Sequence, residues 1–431
     1  MSGWNLRDYV DVLPGLRIDH TRLPDQTVHD GAAVKAIALL GADLPGLRPK
    51  LLCEQGDRVK RGQAVFHDRA HPEVVFVSPV SGVVNSITLG PRRSLSALVI
   101  QSDPEQPQPD PVGISLTAEE GLRATLLAKG FWSAFRTRPY GRIPAPDAVP
   151  DAIFVTVTPD NPNAPDPRVV LGDQHQAFAA GLKAMAVLTR GTVHVCQTPG
   201  VDIAAGCGDR IRGSFFPEGR SSGLSGTHIH RLHPVDRSGT VWSIGYQDLA
   251  AIGKLIETGI HDFSRIVALA GSRARQPRLL RTVEGANLQD LIRDETLPGD
   301  QGAALCVVSG SVTNGRQASW LGRYHQQITL LDAAPPRSTV SKGGLLGLFR
   351  QASSRPAAMI PTAALEQALG FDIPVVPFLR ALSVGDAETA ARMGCLEMVE
   401  EDVAAASLAC TSGADYGRML RHVLDELAED A

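Results

Sequence analysis

One block of the sequence places flat apolar side chains beside cationic hydrogen-bond donors. In GFWSAFRTRPYG, residues 130–141, the side chains of interest are Phe131, Trp132, Phe135, Arg136, Arg138 and Tyr140. Aromatic planes can hold a flat ring, and guanidinium groups can donate hydrogen bonds to carbonyl oxygens of that ring or stabilise a negative charge on it. The same composition suits a hydrophobic anchor whose arginines pair with carboxylates of a neighbouring protein. Because composition alone is weakly diagnostic of a pocket, both interpretations stay open, and the anchor is preferred.

A second candidate site is rich in histidine. In GTHIHRLH, His228 and His230 are two residues apart, so they share a face if the segment is a strand, and His233 follows closely. This spacing can bind a transition metal, but no carboxylate or cysteine completes an evident open site. Short histidine motifs also match by chance. We therefore expect ordinary loop or interface histidines, and keep His228 and His230 as weak metal candidates only.

A third stretch resembles half of a biotinyl or lipoyl carrier domain. In residues 54–87, GDRVKRGQAVF leads up to a hairpin tip and SPVSGVV leads back down. A carrier domain attaches its cofactor to a lysine at this tip, but the tip here is Arg69-Ala70-His71-Pro72, and Lys60 lies in the wrong turn. The pattern predicts a hybrid β-barrel kept as a scaffold, with no covalent cofactor.

The composition describes an ordinary globular chain. It has 431 residues, 43% of them hydrophobic, and a net charge of −4, which gives no electrostatic reason to expect a nucleic-acid partner. Charged residues interrupt every apolar run before it reaches the roughly 18 to 20 residues that span a bilayer. Charges near the N-terminus argue against a signal peptide, and six cysteines without a CxxC pair fit a reducing compartment. We expect a cytoplasmic protein without a transmembrane segment.

Turn-rich stretches divide the chain and predict a multidomain protein of β and α/β type. Residues 152–157, AIFVTV, and 192–197, TVHVCQ, flank a helical pattern, which is typical of a βαβ unit. The first unit shows short strands, with one helical pattern at 30–41. We expect four domains: a biotinyl/lipoyl-like hybrid barrel (1–110), a Rossmann-like α/β domain (111–260), a β-grasp, SLBB-like module (261–335) and a helical C-terminal domain (336–431).

The predicted α/β domain has no evident phosphate-binding loop. A phosphate cradle needs free backbone N–H groups at a glycine-rich turn or a helix N-terminus. The loop after the strand 152–157 is TPDNPNAPDP, whose four prolines donate no hydrogen bonds and whose two aspartates repel phosphate. No GxGxxG follows a predicted strand either. The sequence favours a redox-type domain that has lost its cofactors.

Several stretches together resemble one family, the A subunit of the sodium-translocating NADH:quinone reductase of bacterial membranes. They include VHDGAAVKAIALLG, GFWSAFRTRPYGRIPAPDAVPDAIFV, GLSGTHIH, YQDLAAIGKLIETG, RLLRTVEGANLQDL and GCLEMVEEDVA, and the match runs from about Leu13 to the C-terminus. The segment between Asp332 and Met359 departs from the family, since it is shorter and redrawn. Contacts with partner subunits near this segment are therefore in doubt.

The resemblance implies a peripheral subunit on the cytoplasmic face of the inner membrane, within a complex that passes electrons from NADH to ubiquinone and exports sodium. It implies a fold similar to the flavin-binding subunit of respiratory complex I, no cofactor on this chain, and FMN, riboflavin, FAD and iron–sulfur on integral membrane and flavin-carrying partners. The block 131–140 then becomes a candidate site for ubiquinone. The chain would be part of an enzyme without being catalytic alone.

Cys395 and Cys410 lie where related electron-transfer subunits carry iron–sulfur ligands. A four-iron cluster takes four thiolates, and this stretch supplies two, fifteen residues apart, so a degenerate cluster domain is expected. Two other functions stay open. One is a free-standing, flavin-dependent NADH oxidoreductase of complex I-like fold, against which the missing glycine-rich loop argues. The other is a pure assembly scaffold without quinone contact.

Overall fold

The computed structural model describes residues 22–103, 119–217, 219, 221–299, 302–333 and 358–430. In this part of the chain the strands form sheets of six, five, four and three strands. The redrawn segment between Asp332 and Met359 lies almost wholly outside the described residues. Within them, no helix has both the length and the apolar character needed to cross a membrane.

After a first strand, β1 (Asp25–Asp30), the chain builds a barrel from two small sheets. Its strands are β2 (Ala36–Leu40), β3 (Pro49–Leu51), β4 (Arg58–Val59), β5 (Ala64–Asp68), β6 (Val75–Val77), β7 (Gly82–Leu89) and β8 (Leu95–Ser102). One sheet has the order β2-β8-β7-β4 and the other β3-β5-β6, so the chain passes repeatedly between them. Alternate side chains such as Phe66, Val84 and Leu98 point inward and are fully buried. The predicted tip, residues 69–72, joins β5 to β6.

The helical pattern at 30–41 was misleading, because residues 36–40 form β2. Ile37 pairs with Ile100 of β8, and the backbone N–H of Ala38 donates to the carbonyl of Gly285 in another unit. Both Ile37 and Ala38 are buried. A strand covered on both faces has a continuous apolar run, which sequence periodicity does not distinguish from a buried helix.

The second unit is a five-stranded sheet with helices around it. Its elements are α1 (Glu119–Ala128), β9 (Arg136–Arg138), β10 (Ala152–Val157), α2 (Pro167–Leu171), α3 (His175–Leu188), β11 (Thr192–Gln197), β12 (Ile211–Phe215), α4 (Ser225–Leu232), β13 (Val241–Gly245) and α5 (Tyr246–Thr258). The order is β12-β11-β10-β13-β9, with β9 antiparallel to β13 and the other pairs parallel. Helices α3 and α5 cross closely at Gly253, where a Cβ would lie 1.6 Å from the carbonyl oxygen of Ala177.

The third unit is a mixed sheet that also takes in the start of the chain. Its elements are β14 (Ser264–Ala270), β15 (Arg278–Val283), α6 (Leu288–Leu291), β16 (Leu305–Ser309), β17 (Arg316–Gln317) and β18 (Gln327–Asp332). The order is β1-β15-β14-β18-β16-β17, with β1 parallel to β15. The Asn287 side chain accepts hydrogen bonds from the backbone N–H groups of Gln289 and Asp290, which starts α6 directly after the predicted turn.

The C-terminal unit is helical, as its sequence pattern indicates. Its helices are α7 (Ala363–Glu366), α8 (Val375–Val384), α9 (Ala387–Arg392), α10 (Glu400–Ala409) and α11 (Tyr416–Glu429). The apolar side of α11, with Leu420, Val423 and Leu424, packs into a core that is separate from the core of the barrel and the α/β sheet. Gly385 ends α8 in the left-handed conformation, with φ of 72°.

A ring of four buried charges joins the second and third units. Arg265 of β14 donates to the carboxylates of Asp248 in α5 and Glu284 after β15. Arg323, just before β18, approaches the same two carboxylates, at 2.8 Å from Asp248 and 3.6 Å from Glu284. Burial alone would raise the pKa of Asp248, but the two guanidinium groups outweigh it and lower that pKa. Each charge therefore depends on partners from another element.

We expect Asp248→Ala to lower the free energy of unfolding by about 3 to 5 kcal/mol, because it leaves two buried guanidinium groups short of a carboxylate. Asp30→Ala is the matched control. It breaks an exposed pair with Arg281 at 3.6 Å, and such pairs contribute below about 1 kcal/mol. Urea unfolding of the full chain measures both losses, and equal losses would contradict the structural role of the ring.

Candidate functional site

A cavity of about 350 Å³ lies at the carboxyl ends of β10 and β13. Strand β10 has β11 on one side and β13 on the other, so the chain leaves these neighbouring strands in different directions and a crevice opens between them. Open α/β sheets bind ligands at such a point. Thr156, Thr158, Ser243 and Gly245, at the ends of the two strands, form its floor.

All four units of the chain contribute to the cavity wall. The barrel supplies Asp43 and Pro45, the third unit supplies the segments around Asn314 and Tyr324, and the helical unit supplies Glu400 and Glu401 at the start of α10. The charged residues of the lining are Asp43, Arg136, Asp160, Asp248, Arg265, Arg316, Arg323, Glu400 and Glu401. The site therefore exists only when the four units are assembled around it.

Most of these charges are already engaged with one another. Arg316 pairs with Asp43, and Arg265 and Arg323 belong to the ring described above. Asp160 accepts hydrogen bonds from the side-chain amides of Asn161, at 2.9 Å, and Asn314, at 2.8 Å. A ligand would consequently meet paired charges, together with the few polar atoms that are left over.

Four polar atoms of lining residues are buried and have no hydrogen-bond partner within the described residues. They are Nε of Arg136, Oγ1 of Thr156, the hydroxyl of Tyr246 and Oε1 of Gln327. An unpaired buried polar group costs about 1 to 3 kcal/mol, so each needs an explanation. All four belong to residues that line one cavity, and each atom is itself buried behind the cavity surface.

Arg136 is the one residue of the predicted block 131–140 that supplies a charge to this cavity. Its guanidinium group lies 5.1 Å from the centre of the Tyr324 ring and 3.5 Å from Glu400. Glu400 is held more closely by Arg421, at 2.7 and 2.8 Å. Burial opposes the charge of Arg136, but Glu401 and Glu400 outweigh it and raise its pKa. Arg136 thus stays a cation in the cavity wall, and its buried Nε has no hydrogen-bond partner among the described residues.

The predicted aromatic planes are packed in the core. Phe131, Trp132 and Phe135 are at most 1% exposed. Phe131 stacks on His261 at 3.8 Å, and Trp132 meets Phe135 edge-on at 5.4 Å. These rings join the barrel to the α/β sheet and position the strand that carries Arg136. Direct contact between them and a ligand stays a prediction.

Arg138 and Tyr140 connect the α/β sheet to the helical unit. Arg138 is fully buried; it donates to the carbonyl of Glu397 and the hydroxyl of Ser225, both at 3.1 Å, and lies 3.7 Å from Asp402. Tyr140 is half-buried against the helical core. The predicted anchor would pair arginines with carboxylates of a neighbouring protein. Arg138 instead lies beside a carboxylate of the helical unit of the same chain.

Asp402 is the buried carboxylate at this junction. Its Oδ2 accepts from the backbone N–H of Val399 at 2.7 Å, and a Cβ placed on Gly226 of α4 would lie 2.5 Å from its Oδ1. Burial raises the pKa of Asp402 to about 7, and the charge of Arg138 opposes this only in part. Burial likewise lowers the pKa of Arg138, to about 10.

A shared face for His228 and His230 was expected only if their segment were a strand. The segment is instead the helix α4, on which residues two apart point to different sides. His228 is fully buried and donates through Nε2 to the carbonyl of Ser222 at 2.7 Å; burial lowers its pKa to about 4. His230 has Nδ1 2.6 Å from Glu397, and its Nε2 accepts from the N–H of Asp372. The described residues contain no cluster of three or more side chains suited to a metal.

The C-terminal cysteines lie inside the helical core. Cys395 is fully buried, and burial raises its pKa to about 12. The Cys410 thiol lies 3.1 Å from the Ser412 hydroxyl and 3.2 Å from the Tyr416 hydroxyl. Both thiols are therefore enclosed by other residues of the helical core, and neither cysteine lines the cavity described above.

Sequence reasoning missed most of the cavity. Asp43 ends a short 3-10 helix and Arg316 begins β17, while Arg323 and His325 lie in the loop before β18. One signal was available, since GRYHQ places four polar residues directly before the buried strand QITLLD. Polar residues in a loop that is held by a buried strand are typical of binding sites.

Comparison with known proteins agrees with this division of the chain. Family profiles for the NqrA N-terminal barrel-sandwich hybrid domain, the NqrA second alpha/beta domain and the NQRA C-terminal domain match residues 10–103, 117–261 and 266–319. The fold is thus that of a multidomain protein with a barrel-sandwich hybrid, an α/β domain and a further C-terminal domain of one family.

Relatives that match along almost their whole length identify that family. The A subunit of the Na(+)-translocating NADH-quinone reductase of Neisseria meningitidis serogroup C is 37% identical, covering 98% of this chain and 100% of the relative. The A subunits of Vibrio campbellii, 35% identical over 98% and 100%, and of Rhodopirellula baltica, 36% identical over 96% and 97%, are similar. The chain belongs to the family formed by the A subunits of Na(+)-translocating NADH-quinone reductases. A chain of an NAD+-reducing [NiFe]-hydrogenase is 13% identical with a TM-score of 0.35, over 50% of this chain and 47% of that one, which is too low to support an argument.

Asp402→Asn tests the electrostatics of the helical junction. A pKa raised in the folded state means that the folded chain binds the proton more tightly than the unfolded chain, so ionisation costs stability as the pH rises from 3.8 to about 7. Asparagine cannot ionise. The stability of the variant relative to the wild type should rise by at most about 1.4 kcal/mol per pH unit in this window and level off above it. Thermal melts across the window measure this, and a difference independent of pH would contradict the shift.

Proposed function

We propose that the chain is a peripheral subunit of a sodium-pumping NADH:ubiquinone reductase, on the cytoplasmic face of the membrane. It binds no cofactor of its own, contributes to assembly, and interacts with ubiquinone. The observation that carries this proposal is the match, over 98% of the chain, to relatives that are A subunits of such a reductase. Integral membrane and flavin-carrying subunits are the proposed partners, with FMN, riboflavin, FAD and iron–sulfur on them.

Two finer fold assignments support the proposal. The order β12-β11-β10-β13 is 3-2-1-4 in chain order for parallel strands, which is the arrangement of half a Rossmann domain. The third unit, a mixed sheet with a short helix between β15 and β16, fits a β-grasp module. Both assignments agree with the expected likeness to the flavin-binding subunit of complex I.

The loop after β10 favours a domain without nucleotide. Here Asp166 accepts a hydrogen bond from the N–H of Arg168 and caps α2, so a carboxylate already occupies the place where a phosphate would sit. Asp160, in the same loop, bonds to Asn161 and Asn314. A phosphate placed beside these carboxylates would bring like charges together.

The cavity supports the ubiquinone interaction. Its volume lies within the range of about 300 to 1,000 Å³ that is typical of small-molecule sites. Arg136 supplies a cationic donor beside the Tyr324 ring, which suits a carbonyl oxygen of the quinone. In this proposal Phe131, Trp132, Phe135, Arg138 and Tyr140 position Arg136.

Co-purification tests membership of the complex. The tagged chain, isolated from mild-detergent extracts of its native membranes, should bring down hydrophobic, flavin-containing subunits and NADH:quinone activity. The chain purified alone should show no flavin absorbance in the visible spectrum. Flavin bound to the isolated chain, or its recovery alone from the soluble fraction, would favour the free-standing oxidoreductase instead.

Arg136→Gln separates a quinone contact from a scaffold. We expect the intact complex to show an apparent KM for ubiquinone raised by about tenfold, because one charge-assisted hydrogen bond is lost. Arg142→Gln is the matched control. Arg142 also pairs with the helical unit, at 3.2 Å from Asp425, but does not line the cavity.

The two variants together distinguish the outcomes. A raised KM in Arg136→Gln alone, with normal assembly of both variants, supports the quinone site. Equal and unchanged kinetics in both variants would leave the chain as a scaffold. Loss of assembly in both would mean that these arginines act through the junction of the units.

A further inference from the structure

His325 is a cavity residue that the function proposed above does not use. It lies in the loop before β18 and lines the cavity beside Tyr324. Its ring fits between two glycines: a Cβ on Gly322 would lie 2.6 Å from Nδ1, and a Cβ on Gly310 would lie 3.1 Å from Cδ2. The backbone at Gly310 and Gly322 lies so close to the ring that a side chain at either position would crowd it.

A buried serine fixes the position of the imidazole proton. Ser309 of β16 is fully buried, and its Oγ accepts from the backbone N–H of Gly322 at 2.8 Å. The remaining hydroxyl proton needs an acceptor, and Nδ1 of His325 lies 2.8 Å away. When Nδ1 accepts, the proton of the neutral ring is on Nε2. No described residue is hydrogen-bonded to Nε2.

The surroundings keep this ring neutral. Burial lowers the pKa of His325 to about 4, and the nearby charge of Arg316 acts in the same direction, while Asp43 opposes it in part. At neutral pH the side chain therefore presents an uncharged N–H donor. A neutral donor of this kind can polarise a carbonyl group without giving up its proton.

We propose that the Nε2–H of His325 donates a hydrogen bond to a carbonyl oxygen of the quinone ring in the cavity, as a ligand-binding residue that acts together with Arg136. This inference rests on the proposed ubiquinone interaction. The carboxylates of Asp160 and Glu401 in the same lining disfavour an anionic ligand such as a phosphate. A neutral ring with acceptor oxygens fits the Nε2–H of His325 and the guanidinium group of Arg136, since both residues line the cavity.

Binding of ubiquinone-1 to the purified full chain, measured by equilibrium dialysis, tests the inference. We expect His325→Leu to weaken binding by about tenfold, since one buried hydrogen bond is lost. His325→Gln keeps an N–H donor and should recover part of the affinity. His29→Leu, on the exposed strand β1 and outside the cavity, is the control and should bind as the wild type does.

The outcomes separate this inference from the function on which it rests. If the wild type does not bind ubiquinone-1, both fail. If the wild type and His325→Leu bind equally, the role of His325 is overturned, while the quinone interaction stands.

A measurement on the wild type keeps the inference testable even if His325→Leu does not fold. Nitrogen-15 NMR of the histidine side chains should show the His325 ring protonated at Nε2 throughout pH 6 to 8, with a signal that shifts when ubiquinone-1 is added. This signal is assigned by its loss in His325→Gln. A ring protonated at Nδ1, or a signal that does not respond to ubiquinone-1, would overturn the assignment.

Discussion

The arrangement of this chain depends on the cost of burying a charge without a partner. Arginine side chains cross the junctions around the cavity, and each finds its carboxylate on a different element or unit. Arg265 and Arg323 share Asp248 and Glu284, Arg138 approaches Asp402, and Arg421 holds Glu400. Pairs of this kind add little net stability compared with apolar packing, but breaking one is expensive. They therefore specify how the units fit together more than they strengthen the fold.

This constraint changes the interpretation of the aromatic and arginine block. Read as sequence, the rings and guanidinium groups look like one ligand surface. In the fold they separate by chemistry, since Phe131, Trp132 and Phe135 form core between the units while Arg136 reaches the cavity. Strand alternation does not separate the two arginines of β9, because residues two apart on a strand point to the same face. They differ in what covers them, since Arg138 lies beneath the helical unit and Arg136 lies at its rim.

What could be predicted from the sequence is local. The strands β10 and β11 and the helix α5 follow from apolar runs and periodicity, and Gly259 marks the end of α5 in the left-handed conformation, with φ of 73°. The same rules failed at residues 36–40, where burial on both faces hides the strand period. They made no assignment for GTHIHRLH, which is the helix α4. The cavity itself could not be predicted from the sequence. Its lining joins residues as distant as Asp43 and Glu401, and only long-range pairing brings them together.

An α/β domain without a glycine-rich phosphate loop can still contain a crevice of the kind that binds ligands. The crevice at β10 and β13 follows from strand order and persists whatever loop follows β10. In this chain Asp166 and Asp160 accept hydrogen bonds from within the chain, and Arg136 and His325 are among the residues that line the crevice. A site built from several units responds to how they are assembled, whereas a phosphate loop works within one domain. A molecule that bonds to residues of several units would favour the arrangement in which these units meet. Its binding in the cavity would therefore be coupled to the assembly of the units.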